Sequence, residues 1–397
     1  MLRRIVLPLV FSGLMAPVGV AKAADLPEKP TLPVYAEPLN YVKICDAYGA
    51  GYFVVPGTTT CLGIGGRVRV DAQALNFGSP PSNWSERQYE GMRYRARSYL
   101  TLDAYTDSEF GLIKAYSEMI VTSDSTNVSR GPDLTLNQAY IQFNGFTFGR
   151  TQSFFDFFTG ATYGSLNRNW ADDKTWVAAY TAVLQNGISV SASLEDPASR
   201  VEGVYYQPDH TWSGAGGNRL PSAIVTARID QGWGTAKFSA AFQEVRPLDS
   251  GADTTLGWAL GLGAIFNMPE LGDGDAIALQ AQYTNGAVGY LNADDVYDAY
   301  SDGNKTKNTN AYSISAGYTH YFTPEVRTDF DTSFMNVEVP SNNYHNDFSR
   351  FAVDWDVAWT PVAGLEIGFD AAYAETFVKG EDDFSEASAT VRVQRTF

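Results

Sequence analysis

The chain has 397 residues, with 45 acidic side chains against 28 basic ones, a formal net charge of −17 and 14% aromatic residues. So acidic a chain is excluded from the nucleic-acid-binding classes. Its mean hydropathy of −0.20 speaks against a bundle of membrane-spanning helices and suits strands that turn only half their side chains to an apolar phase.

The chain begins "MLRRIVLPLVFSGLMAPVGVAKA", where Arg3 and Arg4 precede an apolar run and the small-residue triplet Ala21-Lys22-Ala23. This pattern predicts a signal peptide over 1–23. Without Arg3, Arg4 and Lys22 the 28 basic residues fall to 25, against the same 45 acidic ones. No later apolar run is long enough for a spanning helix, so membrane insertion would have to use strands.

Residues 24–61 read as a Pro-rich periplasmic lead-in followed by the stretch between Cys45 and Cys61. In an exported chain with no other cysteine, a disulfide between these two is expected. Too few further ligands stand nearby for a metal. Closing a loop of about 15 residues stabilises by roughly 3 kcal/mol in the chain-entropy model.

From residue 62 onward the pattern is one of alternation. "LGIGGRVRVDAQAL" sets Val68, Val70, Ala72 and Ala74 against Arg67, Arg69, Asp71 and Gln73. "RYRARSYLTLDAY" sets Arg93, Arg95 and Arg97 against Tyr94, Ala96 and Ser98. Successive strand side chains point to opposite faces, so two neighbouring strands carry basic rows. Alternating segments predict strands at 62–75, 93–107, 110–122, 134–144, 146–152, 174–184, 188–195 and 222–230. The second half adds 234–245, 256–268, 275–290, 311–322, 325–339, 348–360, 365–379 and 386–397.

Their connections alternate in kind. Short turns are expected at Asn144-Gly145, Gln185-Asn186-Gly187, Gly272-Asp273-Gly274, Thr323-Pro324 and Ala363-Gly364. Long polar stretches such as "NADDVYDAYSDGNKTKNTN" lie between them. Short turns at one end and long loops at the other fit an all-β transmembrane barrel over 62–397, of sixteen antiparallel strands. The last strand, "SATVRVQRTF", places Ala389, Val391, Val393 and Phe397 on one face and ends the chain on an aromatic residue.

Two stretches, "YVKICDAYGAGYFVVPGTTTCLGIGGRVRVD" and "AYIQFNGFTFGRTQSFFDFF", together with the terminal Phe397, resemble the general porins of alphaproteobacteria, the family that includes the Brucella and rhizobial porins. The resemblance spans the mature chain. It implies a homotrimer of sixteen-stranded barrels in the bacterial outer membrane, among lipid and lipopolysaccharide. Each barrel would hold a water-filled pore, narrowed by an inward-folded third loop and open to small hydrophilic solutes and ions. It also implies that Phe397 serves as an assembly signal.

The site expectations follow from this frame. An arginine row facing water is easily solvated, whereas facing hydrocarbon it costs about 2–4 kcal/mol per residue at the midplane. Arg67, Arg69, Arg93, Arg95 and Arg97 would thus form a pore-lining basic wall. Across from it, Asp156, Asp172 and Asp173 would be the acidic members of the constriction loop and Arg168 its basic one, giving a transverse field that discriminates among solutes. A second reading pairs the arginines structurally with Asp71, Asp103 and Glu118.

Other signals carry less. His210, His320 and His345 lie far apart with no nucleophile beside them, so no enzymatic triad is expected. Asp294, Asp295, Asp298 and Asp302 lack a full calcium-loop pattern, and Asn83-Trp84-Ser85 and Asn127-Val128-Ser129 match a glycosylation pattern only weakly. Neither cofactor nor metal is expected. A ligand-binding or adhesion barrel, or a substrate-selective channel, is the alternative function; a plug-gated receptor would need a folded domain ahead of the strands, and 24–45 is too short for one.

Overall fold

The computed structural model describes residues 43–127, 131–206, 211–212, 216–293, 296–342 and 344–397. The expected signal peptide and most of the lead-in fall outside these residues, as do His210, Asp294, Asp295 and the 128–129 part of one glycosylation pattern.

Sixteen long strands run in chain order: β1 Thr60–Ala74, β2 Met92–Ser108, β3 Gly111–Asp124, β4 Asp133–Phe143, β5 Phe146–Gln152, β6 Lys174–Val183, β7 Ile188–Glu195 and β8 Ser222–Gln231. Then come β9 Gly234–Val245, β10 Thr255–Asn267, β11 Ala276–Asn285, β12 Asn310–Thr323, β13 Val326–Glu338, β14 Phe348–Val362, β15 Leu365–Val378 and β16 Phe384–Thr396. Each pairs antiparallel with its neighbour in sequence. The last pairs with the first, Arg392 opposite Asp71 and Val393 opposite Val70, so the sheet closes on itself. Closure leaves no unpaired sheet edge, which a strand structure in hydrocarbon requires.

The barrel is inside-out relative to a soluble protein. Ile314, Leu262 and Phe369 are exposed on the outer surface, while Ser313, Ser315, Asp329 and Asp370 are buried on the inner one. Polar side chains fit the inner surface because they face one another and water, and apolar ones fit the outer surface because lipid is their solvent. Seven short connections close one end, including Glu109-Phe110 and Gly232-Trp233, which the sequence signals missed; the long loops project from the other.

The largest boundary difference is at β11, expected to reach residue 290. Gly286 adopts φ +66°, and the chain then leaves the wall for a 3-10 turn at Val288–Leu291. The apolar run "AVGYL" is buried within the loops, Val288 and Leu291 against Ala311, Met335 and Val337. An apolar run reads the same whether lipid or a loop core receives it.

Cys45 and Cys61 are joined by a disulfide. It ties a short hairpin, Lys43–Ile44 with Tyr52–Val54, to the start of β1. The hairpin packs over the inner face: the Tyr52 hydroxyl donates to Asp103 at 2.9 Å, and Tyr48 stacks on Tyr105 with centroids 4.5 Å apart. A Cβ at Gly63 would come within 2.7 Å of the Tyr52 ring, so the missing side chain is what lets the hairpin lie down.

Candidate functional site: the inward loop and the arginine face

The third loop, residues 153–173 (L3), leaves β5, crosses the barrel interior and returns to β6. Its base is closed by the Ser153 N–H donating to the Asp173 carbonyl at 2.9 Å. Glu195 accepts from the Ser153 hydroxyl at 2.6 Å and the Phe154 N–H at 2.8 Å, and the Lys237 ammonium donates to the carbonyls of Phe154 and Asp156 at 2.6 and 2.7 Å.

The rising arm is held by aromatic rings seated on glycines. Built Cβ atoms at Gly261, Gly263, Gly317 and Gly368 would fall 3.2, 2.3, 2.2 and 2.0 Å from Phe155, Phe157, Phe158 and Tyr163 respectively. Phe155 also packs with Ile224, Ala241, Ala259 and Tyr290. Aromatic residues bring large apolar area, and the bare backbone of β10, β12 and β15 brings the wall close enough to receive it.

The tip is held by carboxylates. One oxygen of Asp331 accepts from the Ala161 N–H, the Thr162 N–H, the Thr162 hydroxyl and the Arg168 guanidinium at 2.8, 2.9, 2.8 and 3.0 Å. The Tyr163 hydroxyl donates to Glu366 at 3.0 Å, and its ring lies 4.0 Å from the Arg392 guanidinium. Ser165 donates from N–H to Asp354 at 3.1 Å and from its hydroxyl to Asp370. The returning arm takes a 2.7 Å bond from Arg350 to the Asn167 carbonyl. Among the described residues, the hydrogen bonds of L3 reach inner faces from β7 round to β16 and touch β1 only through Gln73. None falls on β2, β3 or β4.

The acidic residues of the loop differ in setting. Asp156 is buried against the equally buried Arg200 and also accepts from the Gln152 amide at 2.6 Å and the Asp173 N–H at 2.7 Å. Burial pushes its carboxyl up, with Arg200 acting against that rise. Asp156 lies in the loop as expected, with its carboxylate turned to Arg200 and away from open water. Asp172 is exposed, accepting from Gln152 at 3.0 Å, and Asp173 is half-buried at the loop base. Arg168, the loop's basic member, is held by Asp331.

Arg67, Arg69, Arg93, Arg95 and Arg97 occupy alternate positions of β1 and β2, on the face shared with Asp71, Gln73 and Tyr99. Their partners are not those anticipated. Asp71 is bound by Arg392 at 2.7 and 3.3 Å, Asp103 is engaged by Tyr52 and by Lys114 at 3.7 Å, and Glu118 accepts from Asn137. Asp124, at the end of β3, takes Arg95 at 2.5 Å and lies 3.9 Å from Arg93. Sequence reasoning also missed the inner-face acids Asp329, Asp331, Asp354 and Asp356, and read Glu366 and Asp370 from strand alternation without giving them a part in the site. The signal was present as acids at alternate positions in "TDFDT" and "VDWDV".

The remaining candidates stay apart. His320 meets Asp275 at 2.6 Å, while His345 lies among the rings of Tyr205, Tyr297 and Tyr300. Asp298 is buried, accepting from the N–H groups of Glu202 and Val288, both at 2.9 Å; Asp302 is exposed and accepts from Asn304 and Lys305.

A barrel with an inward loop is a shape that comparison with known proteins can place. The family described as the porin subfamily matches residues 31–394. The chain belongs to the porin subfamily. This porin is 27% identical to porin Omp2a of Brucella suis biovar 1, over 97% of each chain. Its fold is similar to that of the outer membrane channel DcaP of Acinetobacter baumannii, with a TM-score of 0.72 at 18% identity, covering 87% of this chain and 99% of that one. It is also similar to OmpT of Vibrio cholerae in its trimer form, with a TM-score of 0.53 at 11% identity, covering 85% and 100%. The porin is thus an outer-membrane channel protein, with the barrel as its membrane-spanning part.

Proposed function

We propose that this porin is a passive, water-filled diffusion channel for small hydrophilic solutes and ions, narrowed where L3 faces the arginine-bearing inner surface of β1 and β2. The observation that carries the reading is the one-sided fastening of L3. Among the described residues its hydrogen bonds run along β7–β16 and reach β1 only at Gln73, with none to Arg67, Arg69, Arg93, Arg95 or Arg97. A constricted lumen with a basic wall acts on passing ions at short range, where screening over about 8–10 Å at physiological salt has least effect.

The same proposal takes the working form to be a homotrimer in lipid and lipopolysaccharide, as the similarity to a trimeric neighbour suggests. Residues 1–23 are a removed signal peptide, and Phe397 is the assembly signal. Support for the last point is positional: the Phe397 backbone bonds Gly66 in both directions, at 3.0 and 3.1 Å, while its ring is exposed on the outside.

Planar-bilayer recording tests the function. Purified protein should insert in triple conductance steps, with an ohmic current and no gating ligand. Neutralising Arg93, Arg95 and Arg97 together should shift the reversal potential toward cations. An intact trimer that conducts nothing would overturn the channel reading. Unchanged ion preference in the triple variant would take these arginines out of the constriction.

A further inference from the structure

The inner-face arginines divide into two groups, and the division follows the strand register. In one row Asp124 faces Arg95, Arg95 faces Asp71 and Asp71 faces Arg392 across four neighbouring strands. That row alternates in sign, and its arginines are ion-paired at 2.5 and 2.7 Å. Arg93 joins it, donating to Gln73 and lying near Asp124.

The next row toward the turn end is different. Arg97 stands directly opposite Arg69, and Arg69 opposite Gln394, to which it donates at 2.9 Å. One further row along, Arg67 faces Tyr99. Among the described residues, Arg67, Arg69 and Arg97 form no ion pair, which is what sets them apart; the Nε groups of Arg67 and Arg97 are buried without a hydrogen-bond partner, as is that of Arg93 in the paired row. The Arg67 and Arg69 guanidiniums lie 3.9 and 5.5 Å from the centre of the buried Tyr99 ring.

Like charges directly opposite on adjacent strands destabilise a sheet, and a buried guanidinium donor without an acceptor adds to that cost. Among the described residues no carboxylate pairs with any of the three to offset either. What it supplies is an aromatic floor that favours cations over its face. Guanidinium forks match pairs of oxygens, which carboxylates and phosphates present and halides do not. Two forks over one ring, with a third directly opposite one of them, call for a ligand with several oxygens and more than one charge. The place is on the route solutes would take, because the L3 residue Tyr163 packs against Arg392 in the adjoining row.

We propose that Arg67, Arg69 and Arg97, on the floor of Tyr99, form a discrete, saturable binding site for small polyvalent oxyanions just on the turn side of the constriction. The proposal rests on the channel reading for its place in transport. The neutralised row around Arg95 serves as wall, and the free row as site.

The test uses the full trimer in planar bilayers in dilute potassium chloride, titrated with inorganic phosphate at pH 8. Chloride current should fall to a plateau as phosphate rises. Formate at equal ionic strength should give no plateau. Arg69→Gln and Arg97→Gln should each weaken the block by about tenfold, the loss of a charge-assisted bond. Arg95→Gln, removing equal charge one row away, should shift it by less than about twofold. Calorimetric titration of the detergent-solubilised trimer with phosphate gives the second measurement: one saturable site per protomer, absent in the Arg67→Gln/Arg69→Gln/Arg97→Gln variant. A conducting pore with no phosphate plateau, an equal plateau with formate, or equal effects of Arg95→Gln and Arg97→Gln would each overturn the site and leave the channel standing. A folded trimer that never conducts would overturn the channel reading, while calorimetry still decides the site.

Discussion

Replacing Asp331 by Ala removes the single carboxylate oxygen that accepts four donors from the tip of L3, at 2.8 to 3.0 Å. At about 1 kcal/mol net for each bond the loss comes to about 4 kcal/mol. Breaking a buried ion pair by removing one partner gives about 3–5 kcal/mol. The Arg168 side chain is 18% exposed and Asp331 fully buried, so water compensates part of the loss and the lower end applies, about 3 kcal/mol. That corresponds to a rise of roughly a hundredfold in the population with the tip released. Hydrogen exchange of the folded protein in micelles reads this directly. The N–H groups of Ala161 and Thr162 both donate to Asp331, so peptides covering 159–166 should lose about two decades of protection while strand peptides keep theirs. Asp331→Asn, which retains an acceptor, should lose less. Unchanged protection at 159–166 in Asp331→Ala would refute the account of how the loop is held.

Gly317→Ala places a Cβ against Phe158, a clash costing about 1–3 kcal/mol; faster exchange at 155–158 should follow, and adding Phe158→Leu should restore most of it. Replacing Cys45 and Cys61 by Ala should free the 43–59 hairpin by roughly 3 kcal/mol, seen as faster exchange around Tyr52 with strand protection unchanged. Burial pushes the Asp298 carboxyl up to about 8 against its backbone donors. The packed loop thus holds that proton more tightly than an opened one, so its stability is full below the ordinary carboxylate range near about 4 and is lost as pH rises through 8. Exchange over 296–309, corrected for its intrinsic pH dependence, should quicken between pH 5 and 9, and Asp298→Asn should remove the trend.

The strands were legible because period-two alternation is local: each strand shows its two solvents in its own residues, as Ile367 and Phe369 against Gly368 and Asp370 do. The β11 overrun marks the limit, since "AVGYL" does not say which apolar partner receives it. The site was legible by half. The basic rows on β1 and β2 stand out in the sequence, but which arginines are neutralised depends on register. Asp124 reaches Arg95 because β3 is paired at that offset, and Arg392 takes Asp71 across the seam between strands hundreds of residues apart. The glycine seats carry no periodic signal at all, because an absent side chain announces nothing until the ring that needs its space has been placed.

Those seats have a consequence in time. L3 leaves the chain at β5, yet Gly261, Gly263, Gly317, Gly368, Asp331 and Glu366 all belong to strands synthesised later. The early strands can pair by local turns and Glu195 of β7 can hold the loop base, but the rings and tip of the loop have no seat until the second half of the sheet has folded, and such distant contacts form late because the chain between them must first be ordered. A half-assembled barrel therefore has no constriction. Its aperture is fixed only when the last strands arrive, so closure of the barrel and narrowing of its pore are completed by the same strands.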